Sequence, residues 1–319
     1  LSTIWQYMLK NTFIHLPGIG TVTEQRIWEK GISDWDSFIR QTDVCLSLKR
    51  DALLRSGLEE SRAHVKGENP SYFADRLPAN HQWRLFREFR DSTVYLDIET
   101  TGMNGSSNEI TVIGLYDGTS VTYYVKDRNL DDFREDIEKY KVIVTYNGKC
   151  FDVPFIRNAM GLPMDHAHID LRYVLSSFGF RGGLKGCERA AGIDRGTLSG
   201  LDGYDAVLLW YDYEYNGNEK ALETLLAYNG QDIVNLETLL ILAYNENLRL
   251  TPFVTTNRIP EPLIPTLPFV ADRETIEKIR FQKRAFGMMI HPNAYALFLV
   301  GAIALTLWLV STSTGSEVY

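Results

Sequence analysis

Hydrophobic and polar positions alternate through Val94-Tyr95-Leu96-Asp97-Ile98-Glu99, with Val94, Leu96 and Ile98 on one side and Tyr95, Asp97 and Glu99 on the other. A period of two predicts a half-buried strand, and it projects the carboxylates of Asp97 and Glu99 together from one face. Residues 109–116 and 120–125 read as two more strands joined by Asp117-Gly118, a hairpin signal, so the three make an antiparallel meander. Residues 131–140 predict a helix, the β-branched run Val142-Ile143-Val144-Thr145 a further strand, and His166 and His168 flank another short one. Helices are predicted over 151–160, 171–178, 183–191, 205–215 and 220–245. The last has Leu222, Leu225, Leu226, Ile233, Leu236, Leu239 and Leu240 on its apolar stripe. Tyr228 and Asp232, four residues apart, share one face of it. A meander followed by alternating helix and strand predicts an α/β domain with a mixed five-stranded sheet flanked by helices.

The acidic positions add chemistry to this pattern. Carboxylates as close as those of Asp97 and Glu99 repel one another unless a cation lies between them, and hard divalent ions take oxygen ligands of this kind. An isolated Asp-x-Glu triplet is also an ordinary solvated strand face. Asp152 follows the Asn147-Gly148 turn and precedes Pro154, which suits a helix N-cap whose carboxylate accepts backbone N–H groups. Tyr228 and Asp232, taken alone, suit ordinary surface. The ordered coincidence of strand pair, helix-start Asp and helical Tyr/Asp is far rarer than any member, and it points to a metal-dependent phosphodiester-cleaving site. His166 and His168 lack a Cys or carboxylate partner at metal spacing and read as structural. Asp170, Arg172, Lys185 and Arg189 are candidates to line a nucleic-acid groove, with plain surface solvation as the alternative.

Leu96-Asp97-Ile98-Glu99-Thr100-Thr101-Gly102, the stretch from Asn147 to Phe151-Asp152, and Tyr228 to Asp232 resemble, in order, the three motifs of the RNase H-like 3′–5′ exonuclease superfamily of the DEDD type, tyrosine subclass. Family-B DNA polymerase proofreading domains carry similar motifs in the same order. The chain is also similar to the YprB-like RNase H-like domain family. That likeness runs through Tyr146-Asn147-Gly148, Phe151-Asp152-Val153-Pro154-Phe155, His168-Ile169-Asp170-Leu171-Arg172 and Gly182-Gly183-Leu184-Lys185. It covers residues 88–249, about half of the 319-residue chain. The resemblance implies an RNase H-like fold and a 3′–5′ exonuclease acting on single-stranded DNA or RNA ends. Asp97, Glu99, Asp152 and Asp232 would hold two Mg²⁺ or Mn²⁺ ions, and Tyr228 would orient the attacking water. Asn147 and Lys185 join the nucleic-acid-binding set. The rival readings are a non-catalytic nucleic-acid-binding protein on the same scaffold, an oligonucleotide-specific phosphodiesterase, and an endonuclease of the same fold.

Upstream, the run from Thr12 to Trp28 looks like a helix-hairpin-helix motif whose turn is Gly18-Ile19-Gly20. Glycines there let the backbone approach a phosphate, and the N–H groups opening the next helix form an anion-binding end. A tight turn between two packed helices is the plain competitor. The net charge of −8 counts against a broad polyanion binder, while leaving room for a nuclease with local positive potential. Cys45, Cys150 and Cys187 form no C-x-x-C pair, so neither a disulfide framework nor a zinc site is indicated. No signal-peptide pattern opens the chain, and Leu1 in place of Met reads as a truncated or processed start.

After Asn247, Pro252, Pro260, Pro262, Pro265 and Pro268 predict an extended linker, followed by a charged helix over 273–284. Residues 294–310 then run without a charge, near the lower limit for a membrane span. Tyr295 and Trp308 near its ends, and Lys278, Arg280, Lys283 and Arg284 on one flank, favour a tail anchor over a buried core helix. That places residues 1–284 on the cytoplasmic face of a membrane; a packed C-terminal helix would instead make the protein cytoplasmic. The expected organisation is a helical module over 1–60, a connector over 61–87 and an exonuclease domain over 88–249. A linker with its charged helix over 250–285 and an anchor over 286–319 complete it.

Overall fold

The computed structural model describes residues 8–102 and 108–289. A 3-10 turn (Met8–Asn11) is followed by α1 (Thr21–Glu29), α2 (Trp35–Arg40), α3 (Leu48–Lys66) and α4 (Ser71–Ala74), then a 3-10 turn at Ala79–Leu85. Asp34 opens α2 with a reciprocal cap: its Oδ1 accepts from Ser37 N at 2.7 Å, and Ser37 Oγ accepts from Asp34 N at 3.1 Å. The segment expected as an irregular connector is ordered and apolar inside. α3 runs on through Lys66, and Tyr72, Phe73, Trp83, Leu85 and Phe86 are buried in one cluster with Phe13, Trp35 and Phe38.

β1 (Thr93–Thr100), β2 (Ile110–Tyr116), β3 (Val121–Val125), α5 (Phe133–Ile137), β4 (Val142–Thr145), α6 (Asp152–Met160) and β5 (Ala167–Asp170) come next. They are followed by α7 (Leu171–Ser176), α8 (Gly183–Ala190), α9 (Gly203–Asn216), α10 (Glu219–Leu248) and α11 (Arg273–Met289). Among the described residues the strands form one mixed five-stranded sheet in the order β3-β2-β1-β4-β5. β1 runs antiparallel to β2 and parallel to β4, which makes β1 the central strand. It is therefore not half-buried as its polarity suggested. Val94, Leu96 and Ile98 pack with Ile143, Val153 and Ile156 on one face, whereas Tyr95 joins Val144, Ile169 and the α10 residues Ile233, Leu236 and Leu240 on the other. The alternation holds; both faces are covered. The helix expected over 131–140 is shorter, a 3-10 turn at Leu130–Asp132 followed by α5.

α10 settles against the sheet through a missing side chain. Gly114 of β2 is paired with Asp97 of β1, and a Cβ on Gly114 would lie 1.9 Å from Asn229 Oδ1. On the helix side, a Cβ on Gly230 would lie 2.1 Å from Tyr123 Oη. Only hydrogen at both positions permits this approach, which carries the neighbouring Tyr228 and Asp232 to the sheet.

The described parts of Leu1–Ser199 and Leu226–Val270 form one compact unit, and those of Gly200–Leu225 and Ala271–Tyr319 another. In the first, the proline-containing stretch is held by Asn245, whose Nδ2 donates to Ile259 O at 2.8 Å and whose Oδ1 accepts from Ile259 N at 3.0 Å. In the second, Lys278 pairs with Asp212 at 2.7 Å, Lys283 with Asp202 at 2.7 Å and Asp205 at 3.0 Å, and Arg280 with Glu277 at 3.0 Å. Cations that the sequence offered as a membrane flank are thus engaged by carboxylates. The candidate anchor at 294–310 lies outside the described residues, and among the described residues no helix is long and apolar enough to cross a membrane.

Candidate metal centre

Three of the four expected acids converge. β1 presents Asp97 and Glu99, α10 presents Asp232, and one carboxylate oxygen from each lies within 4.8 Å of the others. Asp97 is half-buried, while Glu99 and Asp232 are buried. Asp152 sits alongside and outside this tight set. It is the first residue of α6 and not its N-cap, a place taken by Phe151. Its carboxylate leaves its own helix and Oδ1 accepts the N–H of Ile98 at 3.2 Å, between the two acids of β1 in sequence.

Electrostatics mark these groups as a set that wants a cation. Burial first, then the charges of Asp152, Glu99 and Asp232, hold the Asp97 carboxyl well above the usual range. Burial and then Asp232 do the same to Glu99. Burial lifts Asp152 to about 7, and it raises Asp232 against the pull of Arg195 and Lys185. Crowded carboxylate oxygens and desolvation fit a hard divalent ion, which supplies the compensating charge and accepts oxygen donors.

Residues that the sequence did not single out fix the acids in place. Arg195, itself buried, contacts Asp232 Oδ1 at 2.5 Å through Nη2 and donates through Nη1 to both Glu188 oxygens at 2.6 and 2.8 Å. Asn235 Nδ2 donates to Glu188 Oε1 at 2.7 Å, and Asn229 Nδ2 donates to Asp97 Oδ2 at 2.9 Å. Asn229 adjoins Tyr228 and Asn235 lies three positions beyond Asp232, which is the one sequence signal they gave. Nothing in the spacing of Glu188 and Arg195 points to Asp232.

Tyr228 shares the Asp232 side of α10, as its spacing required, and is buried. Lys185 Nζ donates to Tyr228 Oη and stands 4.4 Å from the ring centroid, with the Arg195 guanidinium at 5.3 Å. Burial, then the negative charges of Asp232 and Glu99, push the phenol far above its ordinary value, so Tyr228 keeps its proton. With a lysine on its oxygen, that O–H is left to donate.

The Asn147 turn is built by Asp170. Asn147 has φ +67°, and a Cβ on Gly148 would lie 2.3 Å from Thr145 Oγ1. The buried Asp170 carboxylate accepts backbone N–H groups from Asn147 at 2.8 Å, Lys149 at 3.1 Å and Arg172 at 3.0 Å. Its role is to hold this turn and cap α7, in place of the groove-lining role considered from sequence. His168 Nε2 bonds Thr145 Oγ1 at 2.8 Å and His166 Nε2 bonds Ile137 O at 3.1 Å; burial lowers both rings, His168 to about 3.

Gly18, Ile19 and Gly20 do form a turn, with Gly18 at φ +76° and Gly20 as the N-cap of α1 without a side-chain cap. Before it, among the described residues, the 3-10 turn Met8–Asn11 is the one helical element. Glu24 ties the intervening chain down: Phe13 N and Ile14 N donate to its Oε1 at 2.7 and 3.3 Å, and buried Arg84 pairs with it at 2.8 Å.

The RNase_H superfamily model matches residues 94–244, which include every acid of the cluster. The family B DNA polymerase from the hyperthermophilic archaeon Pyrobaculum calidifontis is similar over 49% of this chain and 24% of that chain, with 17% identity and a TM-score of 0.37. No curated protein matches the sequence. Residues 94–244 thus have an α/β RNase H-like fold, a mixed five-stranded sheet with flanking helices.

Proposed function

We propose that this chain is a metal-dependent 3′–5′ exonuclease that hydrolyses phosphodiester bonds at single-stranded DNA or RNA ends. The observation that carries the reading is the meeting of Asp97, Glu99 and Asp232 within 4.8 Å on an RNase H-like sheet. Its polarity comes from the resemblance of the three motifs to the DEDD type with tyrosine. Asp97, Glu99, Asp152 and Asp232 are the ligands for two Mg²⁺ or Mn²⁺ ions. Bound there, the ions lower the pKa of a coordinated water and neutralise charge that builds on the phosphate. Tyr228 keeps its proton and donates a hydrogen bond to the attacking water, which fixes where that water's other lone pair points, while Lys185 holds the phenolic oxygen. Arg195 keeps Asp232 aimed into the cluster, and Asn229 does so for Asp97.

A non-catalytic scaffold is the weaker reading. Burying several like charges without counter-ions costs stability, and a protein with no use for a metal has no physical reason to keep them together. The test is nucleotide release from end-labelled single strands with Mg²⁺, Mn²⁺ or EDTA, for the wild type and Asp97→Ala. Metal-dependent release by the wild type alone supports the proposal. Equal rates in both proteins would remove the site assignment.

A further inference from the structure

Between the end of β4 and the start of α8 lies an open pocket of about 560 Å³, lined by Tyr146, Asn147, Arg172, Ser176, Phe180 and Arg181. Arg172 and Arg181 are exposed, and their hydrogen-bond partners among the described residues are neutral. Arg172 donates to Asn147 Oδ1, and Arg181 donates to the carbonyls of Ser176 at 3.3 Å and Phe180 at 3.1 Å. The Asp170 carboxylate, two residues before Arg172, is already taken by three backbone donors. In a chain of net charge −8, two arginines lining one pocket without a carboxylate in their hydrogen bonds mark a local anion site.

Two rings flank these cations. Phe180 and Tyr146 are half-buried, and Tyr146 is steadied by Cys187 Sγ on its Oη at 3.6 Å. A lone phosphate would use the arginines and leave the rings idle. A nucleotide unit uses both, its phosphate taking guanidinium forks and its base stacking on an aromatic face. The pocket also adjoins the acids along the chain. The turn at Asn147 leads into Asp152, and α8 begins at the pocket rim and reaches Lys185, on Tyr228, about 3 Å along its axis.

We infer that this pocket, built from Arg172, Arg181, Phe180 and Tyr146, is a nucleotide subsite that seats a phosphate and base of the single strand whose end lies at the acidic cluster. The inference rests on the nuclease reading for the strand's direction, but it makes its own prediction about binding.

The test is fluorescence anisotropy of labelled oligothymidylate and oligouridylate on the full chain in EDTA, over a series of salt concentrations. Replacing both arginines, Arg172→Ala with Arg181→Ala, is expected to weaken binding roughly 10-fold or more and to reduce the slope of log K against log salt by about 1.4, near 0.7 per lost phosphate contact. Phe180→Ala is expected to weaken binding by roughly 5- to 100-fold with the slope unchanged. Ser176→Glu, at an exposed rim position, adds a repelling charge and weakens binding without touching the core. Arg172→Lys with Arg181→Lys retains most of the slope. Variants that melt like the wild type yet bind with its affinity and slope would overturn the subsite. So would a wild type that binds no strand, or inorganic phosphate competing as well as an oligonucleotide. No hydrolysis is read here, so strand binding through the pocket, with no nucleotide release once Mg²⁺ or Mn²⁺ is supplied, would leave the subsite standing and sink the exonuclease.

Discussion

At the scale of single residues, Asp97, Glu99 and Asp232 form the acidic cluster, and Arg195, Glu188, Asn229 and Asn235 are bonded to its acids or to one another. Periods of two and of 3.6 fix side-chain direction, so Asp97 with Glu99 and Tyr228 with Asp232 could be paired from sequence alone. Arg195, Glu188 and Asn235 meet through tertiary packing across long sequence separations, which no local period encodes. The consequences differ too. Tyr228→Phe keeps the ring and deletes the donor, so it should lower kcat about 100-fold with KM little changed in steady-state assays on a labelled strand. An unchanged kcat would take Tyr228 out of the reaction. Arg195→Met removes a cation buried between Asp232 and Glu188 and leaves both charges uncompensated. Urea unfolding should show a loss of about 3–5 kcal/mol; a loss below about 1 kcal/mol would mean that Arg195 does not neutralise the pair.

Among the elements, the strands and most helices fell where the patterns put them, and the failures have physical causes. β1 read as half-buried because Asp97 and Glu99 make its second face look solvated; that face carries two acids of the cluster, and α10 covers the rest of it. Residues 61–87 read as irregular because their apolar side chains follow neither period, yet Trp83 and Phe86 are buried in the core. Asp152 read as a cap because caps and strand-directed carboxylates look alike in sequence; only the fold brings Ile98 N to it. The contact most specific to this arrangement is that of α10 on β2 at Gly114. Gly114→Ala puts a Cβ into the space of Asn229 Oδ1, and the forced shift should cost about 1–3 kcal/mol in urea unfolding. It should also weaken Mn²⁺ binding by calorimetry, since Asn229 and Asp232 ride on the same helix. Wild-type affinity with wild-type stability would show that α10 need not approach so closely.

For the whole molecule, a net charge of −8 and a buried acidic cluster mean that the metal-free protein works against itself as pH rises. Burial holds the folded-state pKa of Asp152 at about 7, above the unfolded carboxylate value near 4. Between those pH values the folded state binds more protons than the unfolded state, so stability is fullest below about 4 and is lost as pH rises toward about 7; Asp97, Glu99 and Asp232 shift in the same direction. In EDTA, Asp97→Asn should therefore melt higher than the wild type at pH 8, and Mn²⁺ should raise the wild-type melting temperature more at pH 8 than at pH 5. A metal at 100 times its Kd contributes about 2.7 kcal/mol. A melting temperature indifferent to both pH and Mn²⁺ would contradict the electrostatic account. The most direct measurement of the central claim is release of labelled nucleotide from the 3′ end of a single strand by the wild type and by Asp97→Ala, with Mg²⁺ or Mn²⁺ and with EDTA. The account predicts stepwise release by the wild type only with metal, and a loss of roughly 100-fold or more in Asp97→Ala; equal release by both proteins, or release undiminished in EDTA, would contradict it.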